Sequence, residues 1–407
     1  VTIAGGDEGS RALVKELDSA GALPAGFGAL LHAVPRERFI PDRAWAKVGG
    51  TYEALDRGAR PEQWFTVVYS DRPVVTQFDD GRTAWPAVGR RPTCSASMPS
   101  VVGAMLDILG TTAGDKVLEI GTGTGFNAAL LAGQTGADGS LTTVEVDSEL
   151  AVRARRNLDA AGYRDVFAVC GDGALGAADR GPFDRVMATA AVQLGRVPFA
   201  WVEQTRPGGV VVAPVRADLA SGPLVRFVVT DAETAVGHAV PMSVGFMEIR
   251  SQRTATTPDD DVRWETAEAF RLSEVDPWAV LGDPAARWAV AVAVPSCRYD
   301  LEDGTPERPY PVASLGDPLS GSWAVIVPQV GRYLVRQAGP RRLWDEAEAA
   351  YHWWRGQARP PSTPGNGPSP PTGSRSGSRS STGVLPLHKA GNHCGERKRN
   401  PAHDSQP

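Results

Sequence analysis

Three acids, a set of glycines and one serine carry the chemistry this chain offers. The apolar run Val117-Leu-Glu-Ile120 holds Glu119 near its end and leads straight into Gly121-Thr-Gly-Thr-Gly125. Glycines let a backbone turn sharply and bring its N–H groups close to a ligand. A second apolar run, Leu141-Thr-Thr-Val-Glu145, ends in another acid. An acid about 20 residues beyond such a loop takes both hydroxyls of an adenosine ribose. A third run ends in Gly171-Asp-Gly173, and a fourth, Phe183-Asp-Arg-Val-Met-Ala-Thr189, is followed by Ala190 and Ala191. Ser97 stands just before Pro99 and a helical pattern, where its hydroxyl serves either a ligand or the helix N-terminus. Alone, the glycine loop suits a dinucleotide as well as S-adenosylmethionine.

The order of the remaining motifs narrows this. Gln204-Thr-Arg-Pro-Gly-Gly209 precedes a fifth apolar run, Val210-Val-Val-Ala-Pro214. With Val34-Pro-Arg-Glu-Arg-Phe-Ile-Pro41, Ser97-Met-Pro99, Gly171-Asp-Gly-Ala-Leu-Gly176 and Phe183-Asp-Arg185, the chain resembles a Rossmann-type S-adenosylmethionine-dependent methyltransferase. More narrowly, it resembles the protein-L-isoaspartate O-methyltransferase family over residues 25–215. Thr93-Cys-Ser-Ala-Ser-Met-Pro-Ser-Val-Val102 and Gln337-Ala-Gly-Pro-Arg-Arg-Leu-Trp344 resemble the longer variants that modify an aspartate in ribosomally made peptides. The resemblance implies S-adenosylmethionine as cofactor. It implies Glu119, Gly121, Thr122, Gly123, Gly125, Glu145, Asp172 and Gly173 as its binding residues, with Asp172 accepting from the adenine amino group. It implies Ser97 as the catalytic hydroxyl that holds a substrate carboxylate, and Thr189, Ala190 and Ala191 as substrate-facing.

Methyl transfer to a carboxylate asks mainly for alignment, because the nucleophile is already anionic at neutral pH. A chain without an evident His or Cys catalyst fits that. Each assignment has a structural alternative. The same residue types also fit Ser97 as a helix cap alone, Glu145 as a solvated strand end, and Asp172 as a turn residue. Asp147 reads as the start signal of a helix over residues 149–158. Cys94 reads as a small buried residue. Three functional readings follow: a tailoring enzyme that methylates one aspartate in a partner peptide, a general isoaspartyl repair enzyme, and a cofactor-binding regulator. The extra segments at 43–96 and 262–354 favour the first, since a dedicated partner needs added contact area.

The elements that position these residues follow from periodicity. Residues 11–23 are helical with Leu13, Leu17 and Leu23 inward, and Phe27–Ala33 forms a second helix. Residues 43–96 read as a strand-and-loop insertion. Residues 98–109 form a helix with Val101, Val102, Met105, Ile108 and Leu109 on one face. Strand and helix then alternate to residue 214, which predicts an α/β fold with a doubly wound parallel sheet. Residues 224–230 and 235–249 complete its far edge. The expected domains are 1–96, the cofactor domain 97–250, a small α+β appendage 262–357 rich in tryptophan, and a tail 358–407. The tail is too rich in Pro, Ser and Gly to fold.

Bulk properties bound the rest. The net charge of −5 and the lack of a basic stripe exclude nucleic acid as an expected partner. No apolar run reaches the ~20 residues of a membrane helix, and residues 1–23 do not read as a signal peptide. The four cysteines show no C-x-x-C spacing. That pattern predicts a cytoplasmic protein without structural metal; the family resemblance implies a peptide or protein partner bearing aspartate or isoaspartate.

Overall fold

A computed structural model describes residues 5–253, 266–306, 308–357 and 384–388. Helices α1 (Gly6–Ser19) and α2 (Phe27–Ala33) bury Leu13, Leu17, Phe27 and Leu31 in one core. Leu23 packs at its margin. The segment expected as strands and loops forms a separate antiparallel sheet from β1 (Arg43–Val48), β2 (Thr51–Asp56), β3 (Val74–Phe78) and β4 (Pro92–Ala96), in the order β2-β1-β3-β4. It also contains a helix the sequence reading did not place, α3 (Pro61–Val68). Proline opens that helix at a position where its missing N–H costs nothing, and Trp64, Val67 and Val68 fall on one buried face.

Helix α4 (Pro99–Leu109) starts on a proline and ends on Gly110 at φ 65°, the left-handed conformation that suits glycine. Its buried face is Val102, Met105, Leu106 and Leu109; Leu106 was not expected, and Val101 and Ile108 pack at the margin of the same core. The central sheet follows: β5 (Lys116–Ile120), α5 (Phe126–Thr135), β6 (Ser140–Glu145), α6 (Ser148–Ala160), β7 (Phe167–Cys170), β8 (Phe183–Ala188), β9 (Val192–Gln193), α7 (Ala200–Glu203), β10 (Thr205–Ala217), β11 (Ala220–Asp231) and β12 (Thr234–Ser243). The order is β12-β11-β10-β8-β5-β6-β7, with β9 beside β10. Pairing is parallel from β7 to β10, as the alternation of elements requires. It turns antiparallel through β11 and β12, because two-residue connections at 218–219 and 232–233 leave room only for hairpins. The far edge is thus where the sequence put it, in a mixed sheet. The register sets Glu119 opposite Thr143 and Glu145 opposite Cys170, so both acids stand at strand ends on one side.

The appendage comprises β13 (Ala269–Ser273), α8 (Pro277–Leu281), α9 (Pro284–Ala293), β14 (Arg298–Glu302), β15 (Val312–Asp317), β16 (Ser322–Gln329), β17 (Arg332–Ala338) and α10 (Leu343–Gly356). Its antiparallel sheet runs β13-β17-β16-β15-β14. Asp276 and Asp283 cap the two short helices, each accepting backbone N–H bonds from the first turn. Trp344 and Trp354 are buried in its core, whereas Trp353 is exposed. That core also takes Ala217, Leu219 and Ala220 from the tip of the β10–β11 hairpin. Trp288 packs so closely on Gly222 that a side chain there would collide with its ring. The appendage is therefore built onto the central sheet.

The stretch between the expected cofactor domain and the appendage lies outside the described residues beyond 253. So does the tail, except for five residues that form a strand, β18 (Val384–His388), antiparallel to β12. The tail's composition gave no sign of it. Val384-Leu-Pro-Leu-His388 is a short apolar run that meets a sheet edge with unpaired backbone groups, and Leu387 reaches the core beneath.

Candidate functional site

The carboxyl ends of β5, β6 and β8 open into a cleft of about 1810 Å³. Its floor is the glycine loop. Gly121, Gly123 and Gly125 take φ of 96°, 54° and 87°, which other residues adopt only with strain. Gly121 and Thr122 N–H groups donate to the Val144 carbonyl at 2.9 and 3.3 Å. The Gly123 N–H donates to Glu145 Oε2 at 2.8 Å, and the Asp147 N–H to Glu145 Oε1 at 3.1 Å. Glu145 lines the cleft although only 7% exposed. Burial raises its pKa, and the two N–H bonds oppose that rise. Each carboxylate oxygen accepts one of these bonds and has capacity for another. The pair is placed to accept from two neighbouring hydroxyls, which is the chemistry of a ribose diol.

Gly125 and Glu119 do not line the cleft. Gly125 packs the loop on α6, where an added Cβ would sit 3.3 Å from Leu158. Glu119 is fully buried behind the loop. Asn127 Nδ2 donates to its Oε1 at 2.7 Å, and the Thr143 hydroxyl to its Oε2 at 2.6 Å. Thr143 lies 2.6 Å from the Thr122 hydroxyl, so the acid braces the loop from below. Burial pushes Glu119 up to about 7, against those hydrogen bonds and with a further push from the Glu145 charge.

Just beyond β7, Gly173 lines the cleft, while Asp172 stands beside it. Asp172 Oδ1 accepts from the Ala174 N–H at 2.9 Å and from the Ser251 hydroxyl at 3.2 Å, so it caps the short 3-10 turn Gly173–Leu175. Trp201 Nε1 holds the Gly173 carbonyl at 2.7 Å. Thr189 and Ala190 line the cleft. The Thr189 hydroxyl faces inward, donating toward the carbonyls of Gly121 at 2.7 Å and Ile120 at 3.1 Å. Ala191 is buried and bonded to the chain at residues 247–249, so it forms part of the sheet and does not line the cleft.

Ser97 also lines the cleft. The alternative in which it caps α4 does not hold. Met98 occupies the cap position, no side chain of that residue caps the helix, and the Ser100 N–H is taken by Asp71 Oδ1 at 2.8 Å. Among the described residues nothing bonds the Ser97 hydroxyl. Its backbone is held by Arg36, which the sequence reading quoted within a motif without giving it a role. The Arg36 guanidinium donates to the carbonyls of Val68, Ser70, Arg72, Ala96 and Ser97, at 2.7 to 3.3 Å. It is fully buried, and burial pulls its pKa down to about 10, partly restored by Asp71. It remains charged at neutral pH. Five acceptors on a buried cation fix the chain entering the cleft.

The rim was also missed. Arg250 Nη2 lies 3.1 Å from Asp80 and 3.2 Å from Asp147, and Arg253 Nη1 lies 2.7 Å from Asp80. Gln77 Nε2 donates to Asp147 at 3.3 Å. Asp147 also caps α6, as its position suggested, accepting from Glu149 and Leu150. This network ties the small sheet to the central one, across sequence distances no local pattern spans. Cys94 is buried with its thiol pushed up to about 12 by desolvation, which makes it a packing residue. No histidine or lysine lines the cleft among the described residues. Nor is any helix among them long and apolar enough to cross a membrane.

Residues 28–253 match the family described as protein-L-isoaspartate(D-aspartate) O-methyltransferase, and the appendage lies beyond that match. The protein-L-isoaspartate O-methyltransferase of Ignicoccus hospitalis is 34% identical over 183 residues, covering 45% of this chain and 79% of that protein. Its counterpart in Methanothrix thermoacetophila is 38% identical over 167 residues, covering 40% and 72%. A solved protein-L-isoaspartate O-methyltransferase structure aligns at 20% identity with a TM-score of 0.47, covering 85% of this chain and 92% of the other.

Proposed function

The chain belongs to the protein-L-isoaspartate(D-aspartate) O-methyltransferase family and is an S-adenosylmethionine-dependent methyltransferase; from that premise we propose that it methylates an aspartyl or isoaspartyl carboxylate in a peptide. In this reading Glu145 accepts the ribose hydroxyls, and the Gly121-Thr122-Gly123 loop carries the methionine portion of the cofactor. Asp172 keeps its second oxygen for the adenine amino group, beside Gly173. The cofactor supplies the electrophilic methyl. The Ser97 hydroxyl donates to one oxygen of the substrate carboxylate and aims the other at that methyl, and Ala190 borders the space between. Thr189 acts through the Gly121 carbonyl, and Ala191 and Glu119 act by bracing. A carboxylate oxygen of the peptide would take that methyl, with S-adenosylhomocysteine as the co-product. The ester then reacts within the peptide: the next backbone nitrogen attacks its carbonyl, loses its proton and expels methanol, giving a succinimide.

The observation that carries this reading is one cleft lined by both the unbonded Ser97 hydroxyl and the buried Glu145, with no histidine or lysine base among the described residues that line it. An ionised nucleophile needs none. Between repair and peptide tailoring, the contribution of Arg298 and Tyr299 from the appendage to the cleft supports tailoring, because a partner-specific enzyme gains from a wall outside the family region. Two variants test the site. Glu145→Ala weakens cofactor binding by ~1–3 kcal/mol, measured by calorimetry. Ser97→Ala leaves that affinity in place and lowers kcat on an isoaspartyl peptide by at least about tenfold. Parental turnover in Ser97→Ala would remove the serine from the mechanism.

A further inference from the structure

Helix α4 has two faces. Val102, Met105, Leu106 and Leu109 are buried, whereas Val101, Ala104 and Ile108, three and four residues apart, are half-buried and line the cleft. The helix begins two residues after Ser97. The stripe therefore leads away from the serine for the length of the helix, ~16 Å. At Gly103 a side chain would collide with the Phe27 ring, so α2 packs on α4, and Leu23 of the turn before α2 reaches Gly28 beside it. At the far end of α4, Arg226 Nε of β11 donates to the Ile108 carbonyl at 3.1 Å. That bond brings up the antiparallel edge, from which β12 and the segment after it supply Met242 and Phe246. Leu23, Met242 and Phe246 also line the cleft, and they pack on the same core as Val101 and Ile108. Three parts of the chain far apart in sequence thus build one apolar trough, with Asp107 exposed at its margin.

The cofactor and the methyl acceptor do not account for this trough. Pockets for small ligands run to about 1,000 Å³. This cleft holds about 1810 Å³. The six side chains of the trough carry no nitrogen or oxygen, so they favour an apolar occupant over a polar one. We propose that Leu23, Val101, Ala104, Ile108, Met242 and Phe246 form a subsite for an apolar side chain of the peptide substrate, on one side of the methylated residue. The inference deepens the methyltransferase reading and rests on it for the group held at Ser97. The occupant is the peptide because the trough is continuous with the cleft at Ser97, where the peptide must present its carboxylate. An extended peptide advances ~3.3 Å per residue, so the side chain that reaches the stripe stands roughly two to five residues from the methylated one.

The test uses the full chain with S-adenosylhomocysteine and eleven-residue peptides, acetylated and amidated at their ends, with isoaspartate at the centre of an all-serine background. A single leucine is walked along both sides. Binding is read by calorimetry and turnover separately by methyl incorporation. Leucine at one or two neighbouring positions, on one side only, is expected to tighten binding at least about fivefold over the all-serine peptide, through partial burial of its side chain. Ala104→Gln fills the trough from the helix, and Met242→Ser removes part of its other wall. Each should bring that ratio toward one, with normal cofactor binding showing that the variant is folded. No gain at any position, an equal gain on both sides, or a gain that survives either variant overturns the subsite. A dimer in light scattering that Met242→Ser dissociates, with no leucine gain, gives the trough to a second copy and overturns the peptide assignment. A one-sided gain that the variants abolish, without methylation of any peptide, upholds the subsite and sinks the reaction proposed above. Methylation of every peptide at one rate, with no gain in binding, does the reverse.

Discussion

The central sheet and the appendage meet at one hairpin and differ in how their residues specify them. In the central sheet, Glu119, Glu145 and Asp172 stand at or near the ends of short parallel strands, and each acid has a backbone or side-chain donor within a few residues or on the adjoining strand. In the appendage, order comes from aromatic and aliphatic packing around Trp344, and it borrows Ala217, Leu219 and Ala220 from its neighbour. Local chemistry shapes the first region and shared burial the second. The cleft is lined by both: the glycine loop and Glu145 come from one, and Arg298 and Tyr299 from the other.

That contrast predicts coupled stability. Trp344→Ala empties a fully buried aromatic site and is expected to cost roughly 3–5 kcal/mol. If the hairpin joins the two cores, the variant unfolds in one transition at a lower temperature, and cofactor raises the midpoint of the whole. Two separated calorimetric transitions, with cofactor moving only the upper one, would split the molecule into independent halves.

Arg36 sharpens the comparison from the other side. Arg36→Met keeps much of the volume and strands five carbonyls, so it should cost on the order of 3 kcal/mol in urea unfolding. Its effect on turnover should exceed its effect on cofactor affinity, because the released segment carries Ser97. Equal losses in both would make Arg36 a general core residue.

Legibility followed the same divide. The glycine loop, Glu145, helix α2 and the strand ends were readable because their signals lie within a few residues of one another. The cap role of Asp147 was readable for that reason too. Arg36 was not, because the carbonyls it serves lie 32 to 61 residues away. The Asp80–Arg250–Arg253 network links positions still further apart. Helix α3 escaped because its turn of apolar residues sits inside a Gly- and Asp-rich stretch that reads as loop. Glu119 was read as a ligand because a strand-end acid looks the same in sequence whether it faces a cleft or, as here, Asn127 and Thr143. The tryptophans announced a core without announcing its topology.

A smaller effect separates Glu119 from Glu145. Burial lifts Glu119 from its ordinary 4.5 to about 7, so the folded chain keeps a proton that the unfolded chain releases. Its contribution to stability is full below pH 4.5 and is lost as pH rises toward 7. Glu119→Gln should flatten that decline in urea midpoints measured across the window. An unchanged slope would place the titration elsewhere.

The central claim is that this cleft methylates a peptide carboxylate. Mass spectrometry of the full chain with S-adenosylmethionine and matched peptides bearing isoaspartate, aspartate or asparagine tests it most directly. The account predicts one added methyl on an acid-bearing peptide, then loss of methanol to a succinimide, with the asparagine peptide untouched and Ser97→Ala slowed. Methyl transfer to the asparagine peptide, or none to either acid while cofactor binds normally, would contradict it.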